Sequence, residues 1–250
     1  MAAALETQEL CKSFGALTVA HNIDFRLQAG DRHALIGPNG AGKTTFVNML
    51  MGAVAPSSGR ILLGGEDVTA VRQAARVKRG LGRTFQINTL FAQLPVLDNV
   101  ALGIAERRAV APRMWRPASS HREIRDECLE LLATLGLADD AAVRSADLPY
   151  GKQRLVEIAI ALGLRPKVLL LDEPAAGVPS AETDRILQIL EKLPSEIAIL
   201  IIEHDMDLVF RFARRITVLV QGEVLVEGPP DEIARDVRVH QVYLGESHHA

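Results

Sequence analysis

The chain has 250 residues, which is enough for one large α/β domain or for a core with a smaller insert. Hydrophobic residues make up 48% and charged residues 24%, as in ordinary globular proteins. The formal net charge of −3 gives no electrostatic footprint for nucleic-acid binding. Two cysteines, Cys11 and Cys128, form no metal or redox spacing and exclude a disulfide framework.

The longest apolar runs are too short to cross a bilayer, because Glu157 interrupts one and Glu196 and Glu203 bracket another. Residues 1–10 lack the basic region and apolar core of a signal peptide. We therefore expect a soluble, cytoplasmic chain. If it works at a membrane, another component must hold it there.

The chain begins with a β pattern. Apolar and polar residues alternate over 5–11, 18–20 and 23–27, which predicts short antiparallel strands with Phe14 in the turn between them. A short buried strand over 31–36 comes next.

A glycine-rich loop follows this strand and leads into a helix pattern. Its spacing is that of a phosphate loop, carried by Gly37, Gly42, Lys43 and Thr44. In such a loop, backbone N–H groups surround phosphate oxygens, the lysine reaches the β and γ phosphates, and the hydroxyl meets Mg²⁺. Because a helix buried on one side is predicted after the loop, the phosphates would lie at a helix N-terminus. An ordinary turn with a surface lysine is the alternative, and the flanking strand and helix disfavour it.

The middle of the chain changes character. A strand over 60–63 and a basic helix near 70–79 precede a short strand over 80–86 that ends on Gln86. From 87 to about 164 the pattern is mostly helical. Helices are predicted over 96–105, after a capping box formed by Ser120 and Glu123, and from Gly151, with an Arg- and Pro-rich linker over 107–117.

The α/β pattern then resumes. Strands over 167–171 and 198–202 flank a helix over 180–193, and this order predicts a parallel sheet with right-handed crossovers. Strands over 216–220 and 223–227, a short helix from Pro230 and a polar tail end the chain.

Polar side chains follow several of these strands, at the edge where open α/β sheets bind ligands. Asp172 there could hold Mg²⁺ through water, and Glu173 could orient or deprotonate the attacking water. Gln86 could ligate Mg²⁺ and sense the γ phosphate, and His204 could hydrogen-bond that phosphate. Taken singly, each is better explained as a solvated or hydrogen-bonded surface group. Their convergence on a phosphate loop favours the functional interpretation.

In order and spacing, these motifs resemble those of the ATP-binding cassette (ABC) ATPases over essentially the whole chain. Residues 37–44 resemble the Walker A loop, Gln86 the Q-loop, 148–154 the signature segment, 168–173 the Walker B strand, and His204 the switch histidine.

The resemblance implies an α/β fold: a P-loop NTPase core with a parallel sheet, an N-terminal antiparallel β subdomain and an inserted α-helical subdomain. We therefore expect one ABC ATPase domain over 1–250. Its core and β subdomain would cover 1–86 and 165–250, and the helical subdomain, with the signature segment, would cover 87–164.

The resemblance also implies ATP and Mg²⁺ as cofactors, with Phe14 stacking on adenine. The residues expected to bind nucleotide are Phe14, Gly37, Asn39, Gly40, Ala41, Gly42, Lys43, Thr44, Thr45, Pro149, Tyr150 and Gly151. The expected Mg²⁺ ligands are Thr44, Gln86 and Asp172. The expected catalytic residues are Glu173, His204, Lys43 and Gln86.

More narrowly, several segments resemble the ATPase subunits of branched-chain (hydrophobic) amino-acid importers, a group that also serves amides and other small organic acids. These segments are 82–86, 90–91, 148–154, 172–177, 203–206 and 243–245. The resemblance implies permease subunits as partners, an external substrate-binding protein as an indirect one, no nucleic acid, and a place on the inner face of the cell membrane.

Two positions depart from the family pattern. Pro149 stands where a serine usually reaches the γ phosphate held by the opposite subunit, followed by Tyr150 in place of a glycine, and Pro179 stands where the D-loop aspartate is usual. Backbone N–H groups near Gly151 would be the remaining donors. These departures favour a heterodimer with a second ABC ATPase over a homodimer, which stays possible.

Two other classes of protein remain as alternatives. A soluble ABC ATPase acting on a ribosome or on DNA usually carries two cassettes or a long coiled coil, and this chain shows one cassette and no sustained heptads. A GTPase would need an Asn-Lys-x-Asp motif, which the sequence lacks.

Overall fold

A computed structural model describes residues 2–84, 90–110 and 118–245. Its contacts group the chain into two compact units. The first unit comprises Met1–Leu81, Lys167–Glu173 and Pro194–Ala250, and the second comprises Gly82–Pro166 and Pro174–Leu193.

The strands, in chain order, are β1 (Leu5–Phe14), β2 (Leu17–Leu27), β3 (Arg32–Ile36), β4 (Ser58–Leu63), β5 (Glu66–Asp67), β6 (Leu81–Arg83), β7 (Val168–Asp172), β8 (Ala198–Ile202), β9 (Arg215–Val220) and β10 (Glu223–Gly228). The helices are α1 (Lys43–Met51), α2 (Gln73–Lys78), α3 (Val96–Arg107), α4 (Arg122–Thr134), α5 (Tyr150–Gly163), α6 (Ser180–Glu191), α7 (Met206–Phe212), α8 (Pro230–Ile233) and α9 (Val237–Gly245). The last helix occupies part of the predicted polar tail.

The first sheet is antiparallel, in the order β2-β1-β4-β5. Its two long strands replace the short strands predicted near the N-terminus, because register shifts lie inside continuous strands and do not end them. Glu9 and Asn22 have positive φ angles of 45° and 47° at these irregularities. Phe14 is the last residue of β1, so its predicted place in the turn was wrong.

The second sheet has the order β10-β9-β3-β8-β7-β6. Strands β9, β3, β8 and β7 run parallel, as the strand-helix-strand pattern predicted, and β10 is antiparallel to β9. In the register, Ile202 is opposite both Leu35 and Asp172. The residues that follow β3, β7 and β8 therefore emerge at one edge of the sheet.

Helix α1 supplies much of the core of the first unit. Phe46, Met49 and Leu50 are fully buried, as predicted for a helix with one apolar face. The Phe46 ring meets Phe25 of β2 edge to face, with ring centroids 5.6 Å apart. The helix that follows the glycine-rich loop is thus anchored in the core.

Arg76 of α2 holds the other end of α1. The residue is 1% exposed, and its guanidinium donates to the carbonyls of Met49 and Leu50, at 2.7 and 2.6 Å, and to those of Val71 and Thr69. In the last turn of α1, where carbonyls lack partners within the helix, Arg76 supplies a donor to Leu50 and a second one to Met49, which also accepts the Gly52 N–H at 3.0 Å. The sequence predicted a basic helix here but not a buried arginine.

In the second unit, α3 and α5 pack closely at two glycines. A Cβ on Gly103 would lie 2.8 Å from the Ile160 carbonyl oxygen, and one on Gly163 would lie 3.1 Å from the Ile104 side chain.

The predicted capping box was wrong. Helix α4 begins after His121 with no side-chain cap among the described residues, and Ser120 ends a separate 3₁₀ turn.

The second unit includes residues 174–193, which the sequence assigned to the core. The division into 1–86 with 165–250 and an insert over 87–164 stays a prediction. Within the described ranges, no helix combines the length and the apolar character that crossing a membrane requires.

Candidate active site

The glycine-rich loop connects β3 to α1 at the edge of the parallel sheet. Gly37 and Gly42 have φ angles of 153° and 98°, a region that disfavours side chains. A Cβ on Gly37 would lie 2.1 Å from the Leu219 carbonyl oxygen, and one on Gly42 would lie 2.6 Å from that of Val19. Only glycine fits at these two positions.

Lys43 folds back across this loop. Its Nζ donates to the carbonyl oxygens of Gly37, at 2.5 Å, and Pro38, at 2.9 Å. The ammonium group therefore lies over the loop, where it would meet an anion bound there.

The N-terminus of α1 forms the rest of this half of the site. Gly42 precedes the helix in a left-handed conformation and no described side chain caps the first turn. Thr44 is exposed and Thr45 half-buried in that turn, and Asn39 and Gly40 are exposed in the loop before it, with Ala41 buried beneath them. First-turn N–H groups have no partner within the helix, so this end attracts anions.

Two acidic residues lie at the end of β7 and directly after it. Asp172 is the last residue of β7, opposite Ile202, and Glu173 follows with a φ of 46°. The Glu173 N–H donates to the Ile202 carbonyl at 2.9 Å, which extends the pairing with β8. The backbone thus directs the Glu173 carboxylate to the loop edge of the sheet, where its side chain is 48% exposed.

His204 follows β8 at the same edge. Its Nδ1 lies 3.6 Å from Glu173 Oε1, and its side chain is 67% exposed. Glu203, for which the sequence predicted no role, lies beneath it with a side chain 1% exposed. Glu203 Oε2 accepts the His204 backbone N–H at 3.2 Å, which holds the turn that presents the histidine.

Phe14 lies at the end of β1 in the same unit. It is 52% exposed, and Lys12 Nζ lies 4.8 Å from its ring centroid. An exposed aromatic face can stack on a planar base.

Gln86, predicted as a Mg²⁺ ligand and catalytic group, lies outside the described residues.

The predicted signature segment lies in the second unit. Pro149 precedes α5, whose first residue, Tyr150, is 38% exposed. The Gly151 N–H donates to Glu182 Oε2 of α6 at 3.0 Å. A backbone donor predicted to serve a nucleotide is therefore paired with a carboxylate, a contact that the sequence did not predict.

The first unit thus brings together the loop 37–45, Asp172, Glu173 and His204 at one sheet edge. Pro149, Tyr150 and Gly151 form a separate group in the second unit. Anion-binding amides, a lysine and a carboxylate-histidine pair are the groups that phosphoryl transfer to water requires.

Comparison with known proteins gives two family matches. The family described as ABC transporter matches residues 20–176, and the one described as branched-chain amino acid ATP-binding cassette transporter matches residues 223–249.

Individual relatives cover nearly the whole chain. The high-affinity branched-chain amino acid transport ATP-binding protein BraF of Pseudomonas aeruginosa is 36% identical over 97% of this chain and 98% of its own. The lipopolysaccharide export system ATP-binding protein LptB of Acidithiobacillus ferridurans is 35% identical over 98% of both. A crystal structure of the ADP conformation of an ATP-binding cassette of an ABC transporter has a TM-score of 0.88, at 28% identity, covering 98% of this chain and 100% of that one.

Proposed function

Because this chain belongs to the ABC transporter family and is one of its ATP-binding ATPase subunits, we propose that it powers uptake of branched-chain or other hydrophobic amino acids, or of a related small organic acid or amide. ATPase subunits of this family bind nucleotide, dimerise and work with membrane permeases.

The observation that carries the catalytic assignment is the 3.6 Å approach of His204 Nδ1 to Glu173 Oε1 at the edge that bears the phosphate loop. Glu173 orients and deprotonates the attacking water, and His204 holds the γ phosphate. Lys43 and the first-turn amides of α1 bind the phosphate oxygens. Phe14 stacks on the adenine ring.

The residues present fit a Mg²⁺ ion bound together with phosphate. Among the described residues, no group of three His, Cys, Asp or Glu side chains could hold a metal alone. Mg²⁺ commonly takes only one or two carboxylates from the protein and completes its shell with other oxygens, chiefly those of phosphate and water. Thr44 and Asp172 would be those ligands, and we assign Gln86 as a third. When bound, the ion neutralises charge on the phosphates.

A second cassette supplies the other half of each site. In our proposal two cassettes close head to tail, and the N-terminus of α5 with Pro149, Tyr150 and Gly151 meets the nucleotide bound by the opposite subunit. Pro149 carries no hydroxyl and no N–H, so it offers no donor to a phosphate. A heterodimer with a second, related ATPase, whose own signature segment carries the usual serine, compensates for this loss; a homodimer is the alternative.

The substrate class rests on two similarities. BraF is a branched-chain amino-acid protein, and the C-terminal family match bears the same description. The export protein LptB is nearly as similar, at 35% identity, so overall identity does not separate import from export. In our proposal an external binding protein and the permease select the substrate, and this chain sits on the inner face of the membrane, held by that permease.

Affinity purification of the variant Glu173→Gln from source-cell membranes, with ATP and Mg²⁺, tests this proposal. We expect multi-span permease subunits and a second ABC ATPase to co-purify. Recovery of ribosomal or DNA-associated proteins without a membrane protein would overturn the transporter assignment.

Uptake of labelled leucine into cells with and without the gene then tests the substrate class, and unchanged uptake of leucine and its analogues would contradict it.

A further inference from the structure

Tyr150 places a large side chain at a helix end that we assign to nucleotide binding. It is the first residue of α5, directly after Pro149, and it is 38% exposed. The Cα–Cβ bonds of a helix tilt toward its N-terminus, so the ring of a first-turn tyrosine can reach over the N–H groups that would bind an anion. A ring that moved freely here would obstruct a phosphate. The contacts that hold the ring therefore bear on function.

Two neighbours hold the Tyr150 side chain within the second unit. Arg154, one helical turn further along α5, donates from Nη2 to the Tyr150 hydroxyl at 3.3 Å, and its guanidinium carbon lies 5.4 Å from the ring centroid. Gly177, which precedes α6, leaves room for the ring, since a Cβ there would lie 3.4 Å from Tyr150 Cε1 and from its hydroxyl oxygen. The φ angle of 72° at Gly177 also disfavours a side chain. The ring therefore lies beside Gly177, fixed there by Arg154.

Arg154 is itself held by a buried carboxylate. Its Nη1 donates to Glu157 Oε2 at 3.0 Å, and the two side chains are 8% and 3% exposed. Burial raises the pKa of the Glu157 carboxyl to about 7, despite the neighbouring guanidinium. Arg154 Nε and Glu157 Oε1 are buried without a partner among residues 2–84, 90–110 and 118–245. Such a pair contributes little to the stability of a fold, because desolvation offsets the attraction between the charges. Its contact with Tyr150 indicates a different role.

We propose that Arg154 is a positioning residue, which holds the Tyr150 ring beside Gly177 and so keeps the N-terminus of α5 open to the nucleotide bound by the opposite subunit. Glu157 fixes the guanidinium for this purpose. The inference rests on the head-to-tail arrangement in the proposed function. Because Pro149 offers no donor and the Gly151 N–H is paired with Glu182, a ring that covered the other N–H groups of this helix end would leave little to bind a phosphate.

ATP-dependent association of cassettes tests this role. Sedimentation with ATP and Mg²⁺ measures the association constant in a Glu173→Gln background, in which we expect ATP to stay bound. Arg154→Met together with Glu157→Leu removes both charges and leaves no unpaired buried ion. We expect association to fall roughly 5- to 20-fold. ATP affinity should stay within about 2-fold, because the loop 37–45 lies in the first unit. The matched control is Arg125→Gln with Glu130→Gln, two exposed residues of α4.

A second arm of the experiment removes the ring. Tyr150→Gly introduces the glycine that is usual in the family. In that variant, loss of the Arg154 and Glu157 pair should change association by less than about 2-fold, because no ring is left to hold. An equal fall with and without the ring would show that the pair acts on α5 itself and would overturn the inference. Parent-like association of Arg154→Met with Glu157→Leu would also overturn it. If Glu173→Gln alone shows no ATP-dependent association, the head-to-tail arrangement itself fails, an outcome seen before any change at Arg154.

Discussion

The two groups of candidate site residues are held in place by different kinds of bond. At the sheet edge, backbone pairing sets the positions of the residues that follow β3, β7 and β8, because each follows a strand in fixed register with its neighbour. At the start of α5, side-chain contacts hold the segment: Glu182 Oε2 accepts the N–H of the buried Gly151, and Gln153 Nε2 donates to the Leu148 carbonyl. Substitutions of neighbouring side chains should therefore displace the residues of the first group less than those of the second.

Arg76 is an exception in the first unit, since a side chain there holds the end of α1. We expect Arg76→Met to lower the free energy of unfolding by about 3 kcal/mol or more, because four backbone carbonyls lose a charged donor. Urea denaturation measures this change. The control Arg79→Met removes an exposed pair with Glu66, and we expect less than about 1 kcal/mol. Equal effects would show that α1 does not depend on the buried arginine.

Lys43 tests the sheet-edge group directly. Replacing it with glutamine removes the cation that lies over the loop, and ATP affinity should fall by roughly 10- to 100-fold. The fold should be unaffected, because the strand register is untouched. Isothermal titration measures the affinity, with the exposed Lys192→Gln as control. Affinity equal to that of the parent would remove Lys43 from the phosphate site.

Glu182 tests the helical group. The carboxylate places a negative charge at the N-terminus of α5, where we propose that a phosphate of the opposite subunit binds. Glu182→Gln keeps an acceptor for Gly151 and removes the charge, so ATP-dependent association of two cassettes should strengthen by roughly 2- to 5-fold. Sedimentation measures it, and Glu191→Gln, at the other end of α6, is the control. Weaker association would indicate that the carboxylate supports the interface.

Strand ends were the most predictable part of this molecule. An apolar run that stops at a charged or glycine residue places that residue at the sheet edge, so the sequence alone predicts that Gly37, Asp172, Glu173 and His204 lie there. The parallel order of the strands follows from the same pattern. These features depend on local sequence and on general rules of chain connection.

Contacts between residues far apart in the chain could not be predicted. Arg76 meets the carbonyls of α1 from 26 and 27 residues away, and Glu182 meets Gly151 from 31 residues away. The capping box predicted at Ser120 was wrong because a favourable local pattern does not by itself decide where a helix begins. Helix α4 begins after His121. The interrupted alternation in β1 and β2 predicted strand ends, whereas the structure absorbs the irregularities as bulges.

The central claim is that Glu173, presented by β7 beside His204, activates the attacking water. Steady-state ATP hydrolysis by Glu173→Gln, measured in the same preparation as ATP binding, tests it most directly. Turnover should fall by roughly 100-fold or more while ATP affinity stays within a few-fold of the parent, because the loop and Lys43 are unchanged. Turnover close to that of the parent, with binding intact, would contradict the claim and require another group to act on the water.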